Sequence, residues 1–184
     1  MPKVFINPGH APGGNPDPGA VNSATGLREC DVALIIGQKV AGYLKAVGYE
    51  VSLVQSDDLA NDVVGSANHW GADLFVSIHC NSATNSSAQG AETWYCFNSI
   101  RGRKLAQCIQ NQLYGYLPVV DRGLKEAKPG VNGLYVLTNT DMPACLVETA
   151  FISNPDDERI LSDIGRQDDF AKAIARGVTD YFAG

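Results

Sequence analysis

Short runs of β-branched and aromatic residues alternate with longer stretches of helical period along most of this chain, and that alternation leaves it few ways to fold. The runs lie at Val4–Asn7, Glu50–Val54, Leu74–Ile78, Glu92–Phe97, Tyr135–Leu137 and Ala144–Val147 and read as six strands. Between the first two, Glu29–Val47 places Val32, Ala33, Ile36, Val40, Leu44 and Val47 on one face before Gly48 closes the helix. Leu59, Val63, Ala67 and Trp70 make a second stripe. Ser99 caps a third helix reaching Leu117, and Asp169 to Phe182 reads as the last, with Phe170, Ile174, Val178 and Phe182 on one face. Strands separated by helices of this length imply parallel pairing covered on both sides. The expected fold is therefore α/β: a single domain over residues 1–184, with a twisted, mostly parallel six-stranded sheet and helices on both faces. The polar stretches Asn81–Gly90 and Pro118–Asn132 read as long surface loops.

In open α/β sheets the working residues gather beyond the carboxyl ends of the strands. His10 stands there, at the head of HAPGGNPDPG, a run of Gly and Pro that breaks any regular element. His79 follows Leu74–Ile78, Glu148 follows Cys145-Leu146-Val147, and Glu29 opens the helix after the first strand. Parallel strands bring all four to one edge. Two imidazoles and one carboxylate are a common ligand set for a catalytic Zn²⁺ that keeps a position for water. A further carboxylate that does not ligate can take the water's proton, and Glu148 is the candidate base. Its place after an apolar strand suggests desolvation, which raises a carboxyl pKa toward neutrality.

Taken singly, each residue has a plainer reading. A histidine at a strand end is commonly a hydrogen-bonded loop residue, Glu29 suits a helix's first turn, and Glu148 could pair with Arg122 or Lys125. Their coincidence at one edge carries the joint reading. Cys80 follows His79 directly, so strand alternation turns it to the opposite face and away from any shared metal. His69, inside the second helix, reads as a surface or packing residue.

Composition narrows the function classes. With 184 residues, 45% of them apolar, the chain can bury a core without disulfides or structural metals. A formal net charge of -6 argues against nucleic-acid or anionic-membrane partners, and Arg101-Gly102-Arg103-Lys104 reads as a solvated helix start. No stretch approaches the ~20 apolar residues of a membrane span, and the N-terminus lacks the basic and apolar regions of a signal peptide. The five cysteines are odd in number, form no C-x-x-C pair and read as reduced, mostly buried small hydrophobes. There is no G-x-S-x-G elbow or phosphate-binding glycine loop.

The strings NPGHAPGGNPDPGA (7–20), GADLFVSIHCN (71–81), DRGLKEA (121–127) and MPACLVETAFISNPDDERIL (142–161), together with Glu29 at a helix start, resemble the zinc-dependent N-acetylmuramoyl-L-alanine amidases of the Amidase_3 type. That family includes bacterial autolysins and the catalytic domains of phage endolysins. The resemblance implies one Zn²⁺ per chain held by His10, Glu29 and His79, catalysis by Glu148, and peptidoglycan as substrate in an open groove. It also implies a monomer acting at the bacterial wall, either released from the cytoplasm or as a domain of a secreted parent. Asn81 and Arg122 are candidate substrate contacts, with a structural role the alternative for each. One departure is that no Arg precedes the pair Ala67-Asn68. Another is that the short stretch after Asn81 leaves no room for the helix that plugs the site in some regulated members, which implies constitutive activity. The rival readings are a zinc exopeptidase or carboxypeptidase of related architecture and a non-catalytic wall-binding module.

Overall fold

The computed structural model describes residues 1–132 and 134–184. Strand β1 (Lys3–Pro8) leads through the Gly/Pro loop into α1 (Glu29–Ala46), whose first turn carries Glu29 and Asp31 against the positive end of the helix dipole. Strand β2 (Glu50–Leu53) is followed by a π-helical segment, Leu59–Gly65, which tightens into α2 (Ser66–Trp70). Next come β3 (Leu74–Asn81), β4 (Ala91–Cys96) and α3 (Ile100–Tyr116), with the Ser99 side chain accepting from the Gly102 amide as its cap. The chain ends with β5 (Asp121–Ala127), α4 (Tyr135–Thr138), β6 (Ala144–Phe151), α5 (Pro155–Ser162) and α6 (Ile164–Ala183).

The six strands form one sheet in the order β2-β1-β3-β6-β4-β5. Every neighbouring pair is parallel except β4 with β6. The expected mostly parallel architecture is thus what the chain adopts, with one reversal. That reversal brings the start of β4 to the same edge as the end of β6: Glu92 lies opposite Glu148, which on its other side lies opposite His79.

Strand alternation sends side chains into two cores. On one face Val4, Ile6, Val76, Ile78, Cys145 and Val147 pack under α1, α3 and α6; on the other, Phe5, Phe75 and Leu146 meet Val63, Ala67, Val136 and Leu137. Gly177 sets the approach of α6 to α3, because a Cβ there would lie 2.5 Å from the Ile109 Cα. Gly177→Ala should therefore force the helices apart. Overpacking costs about 1–3 kcal/mol, of which better helix propensity returns up to ~1. A Tm lower by roughly 2–6 °C in a thermal melt is expected, and an unchanged or raised Tm would show that the contact does not limit the packing.

Two elements depart from the sequence reading. Tyr135–Leu137 is not a strand but the core of the short helix α4, whose Val136 and Leu137 are buried in the second cluster. The sixth strand is instead β5, inside the stretch read as loop. Its Asp121, Arg122, Lys125 and Glu126 hide it because it is an edge strand with largely accessible side chains, and lysine and other charges are how exposed edges avoid mispairing. The C-terminal helical region is also longer than expected: α6 starts at Ile164, and α5 precedes it, capped by Asn154, whose side chain accepts from the Asp156 and Asp157 amides.

Candidate active site

After β1 the Gly9 amide still donates to the Ile78 carbonyl (2.9 Å), which holds the start of the loop against β3. His10 then turns with φ 68°, a left-handed conformation that costs a non-glycine residue roughly 1 kcal/mol. The surrounding contacts explain why it persists. His10 Nδ1 is 2.7 Å from Asp17 Oδ2, and Asp17 Oδ1 accepts from the Gly19 amide (2.9 Å). His10 Nε2 is 2.9 Å from Glu29 Oε1, and the same oxygen is 2.9 Å from His79 Nδ1.

Glu29 is buried, and its other contacts are backbone amides: Ala20 donates to Oε2 (2.8 Å) and Cys80 to Oε1 (3.0 Å). Burial works against its charge, yet the hydrogen bonds and charges of His10 and His79 hold its carboxyl far below the usual range. Burial likewise opposes a charge on His10, but Glu29 and Asp17 outweigh it and push the imidazole up to about 9. The cluster is therefore built to hold positive charge. His10, Glu29 and His79 each offer a ligand atom within 4.8 Å of the others. The backbone makes room for them: a Cβ on Gly9 would overlap the His79 ring, and one on Gly19 would come within 2.5 Å of His10 Cδ2. Two imidazoles and a carboxylate with such clearances fit a Zn²⁺ site.

Glu148 stands beside this cluster on β6, in register with His79. Its Oε2 is buried with no hydrogen-bond partner among the described residues. Desolvation is the main reason its carboxyl is pushed up to about 7; the His79 charge opposes the shift, while Glu29 and Glu92 add to it. A carboxyl poised there can take and return a proton near neutral pH.

The pairing of Glu148 with Arg122 that the sequence left open does not occur; Arg122 is taken by Glu92, its Nε donating to Glu92 Oε2 at 2.8 Å. Asn81 Nδ2 and Trp94 Nε1 both donate to Glu92 Oε1, at 3.2 and 3.0 Å. Asn81 and Arg122 thus lie on the same edge as the other four residues, joined through a buried glutamate. Cys80 points into the opposite core, beside Thr149, and His69 is exposed at the end of α2. A cleft runs from His10 and His79 over Leu146 to Leu59, Leu134 and Tyr135.

Sequence reasoning missed Asp17 and Glu92. An acid in the same loop as a candidate ligand was a usable signal for Asp17, since ligating histidines commonly donate their other N–H to a carboxylate. Glu92 gave none, because its role arises from pairing with a strand more than fifty residues away.

Residues 4–180 match the family model Amidase_3, described as N-acetylmuramoyl-L-alanine amidase. The chain is 38% identical over 184 residues to the N-acetylmuramoyl-L-alanine amidase LytC of Bacillus subtilis, covering 97% of this chain and 35% of that protein. It is likewise 38% identical to YqiI of Bacillus subtilis, covering 97% of this chain and 84% of YqiI. The structure of the N-acetylmuramoyl-L-alanine amidase AmiC2 of Nostoc punctiforme superimposes with a TM-score of 0.89 at 33% identity, covering 100% of this chain and 98% of that one.

Proposed function

The chain belongs to the Amidase_3 family of N-acetylmuramoyl-L-alanine amidases, and from that premise we propose that it hydrolyses the amide between N-acetylmuramic acid and L-alanine in peptidoglycan, with Zn²⁺ as cofactor. The observation that carries this reading is a carboxyl with an orphaned, buried oxygen, Glu148, next to a His10–Glu29–His79 cluster suited to one cation. Bound by those three residues, zinc would supply Lewis acidity toward the scissile carbonyl and toward water.

The remaining work falls to the chain's own groups. Glu148, ionised, accepts the proton of the attacking water; Glu148, protonated, then delivers it to the leaving amine of L-alanine, which departs as a neutral amine. Asp17 holds His10 in one orientation by accepting from its Nδ1, so that Nε2 faces the cluster. The cleft along Leu59 and Tyr135 leads to His10 and His79 and offers the substrate a surface beside them. All four central residues come from one chain, so the chemistry requires no second copy. The site of action is the bacterial cell wall.

Mass spectrometry of purified peptidoglycan after incubation tests the reading. New free L-alanine amino termini beside intact glycan chains, lost with a chelator and restored by zinc, are expected. Release of amino acids from bare peptides without such termini would replace the amidase reading with a peptidase one.

A further inference from the structure

Across the working edge of the sheet, His79 on β3, Glu148 on β6, Glu92 on β4 and Arg122 on β5 follow one another strand by strand. The first two belong to the chemistry and the last two do not. Glu92 is buried and accepts three donors, from Arg122, Asn81 and Trp94. Arg122 is partly exposed, with its guanidinium carbon 4.8 Å from the centre of the Phe151 ring. It is thus fixed through Nε and one face, while neither Nη has a hydrogen-bond partner among the described residues. A guanidinium held in this way presents an unused pair of parallel donors, which matches a carboxylate.

Charge along the cleft itself is of the other sign. Its far end, past His10, carries Asp17, Asp57 and Asp58 around Leu59 and Tyr135. An acidic group on the substrate is repelled there and drawn toward Arg122. Spacing agrees: β5 lies two strands from β6, about 10 Å, and Arg122 reaches back one strand to Glu92. A carboxylate on the second residue after the scissile amide lies roughly 7 Å along an extended chain.

We propose that Arg122, anchored by Glu92 and Phe151, binds the free carboxylate of the acidic residue that follows L-alanine in the stem peptide. The peptide then runs across β4 and β5, and the uncharged glycan lies toward Tyr135 and the aspartates. This inference rests on the amidase reading. Arg122 acts as a specificity residue, and Glu92 as the residue that positions it.

The experiment compares two synthetic glycan-peptide oligomers identical except that this carboxyl is free in one and amidated in the other. The wild-type protein should cleave the free form with a kcat/KM at least tenfold higher, expressed mainly in KM. Arg122→Gln should bring the ratio between the two substrates close to one, and Arg122→Lys should restore part of it. Glu92→Gln should shrink the ratio while zinc content stays at the wild-type value and the variant still unfolds in one cooperative transition, a result that loss of folding cannot produce. Equal rates on both oligomers in the wild type, or a ratio preserved in Arg122→Gln, would overturn the assignment. Failure to release L-alanine amino termini from either oligomer would overturn the amidase reading, and this inference with it.

Discussion

Replacing Glu148 by Gln should lower turnover of peptidoglycan by roughly 10²–10⁴-fold, the range that a positioned acid–base group contributes, while zinc per chain stays at the wild-type value. Glutamine keeps the size of the side chain and removes the ability to cycle a proton. Because the lost interaction exists only during reaction, kcat and kcat/KM should fall together. Substantial activity in Glu148→Gln would assign the proton transfers elsewhere. A second reading of the same variant concerns stability in the metal-free protein. The folded-state carboxyl is raised from 4.5 to about 7, chiefly by burial, so the native protein holds a proton that the unfolded chain gives up. Stability due to this group is present below about 4.5 and declines as pH rises through 7, by an amount on the order of 3 kcal/mol. Glu148→Gln should flatten that decline, and an unaltered pH dependence of denaturant midpoints would contradict the burial of Glu148.

Metal occupancy should collapse in His79→Ala and also in Gly9→Ala, a change that replaces no ligand. His79→Ala removes one of the three proposed donors outright. Gly9→Ala acts through space: its Cβ would come within 2.6 Å of His79 Nδ1, the atom now 2.9 Å from Glu29 Oε1. The ring must rotate or shift, and the donor atom moves with it. Disturbing the outer support of a ligand typically costs 10–100-fold in metal affinity, and displacing the ligand itself should cost more. Metal analysis after gel filtration, with competition against a chromophoric chelator, measures the effect. Far-UV circular dichroism checks that both variants remain folded. Wild-type zinc content in Gly9→Ala would mean that His79 is not held where the site needs it, and in His79→Ala that another group is the ligand.

The grouping of the candidate residues was more legible in the sequence than the sheet that carries it. His79 and Glu148 each end an apolar run, and Glu29 starts a long amphipathic helix. Strand direction alone places such residues, and four of five neighbouring pairs are parallel as the helical crossovers require. What could not be read depends on partners distant in sequence. Tyr135-Val136-Leu137 has strand-forming residues, but burial of Val136 and Leu137 against the sheet is met by a single helical turn. β5 lacks an apolar run because only Ala127 is fully covered. Glu92 has the local look of any charged residue at a strand start, and only the antiparallel pairing with β6 makes it a neighbour of Glu148.

The reversed pair of strands, β4 and β5, has a consequence for how such a protein can diversify. The ends of β1, β3 and β6 place His10, His79 and Glu148, whereas the same rim is completed by strand beginnings on β4 and β5. β4 and β5 follow one another in the sequence, between β3 and β6, and together form one side of the sheet. One continuous run of sequence, residues 91–127, can therefore vary the rim around Glu92 and Arg122 without replacing His10, His79 or Glu148.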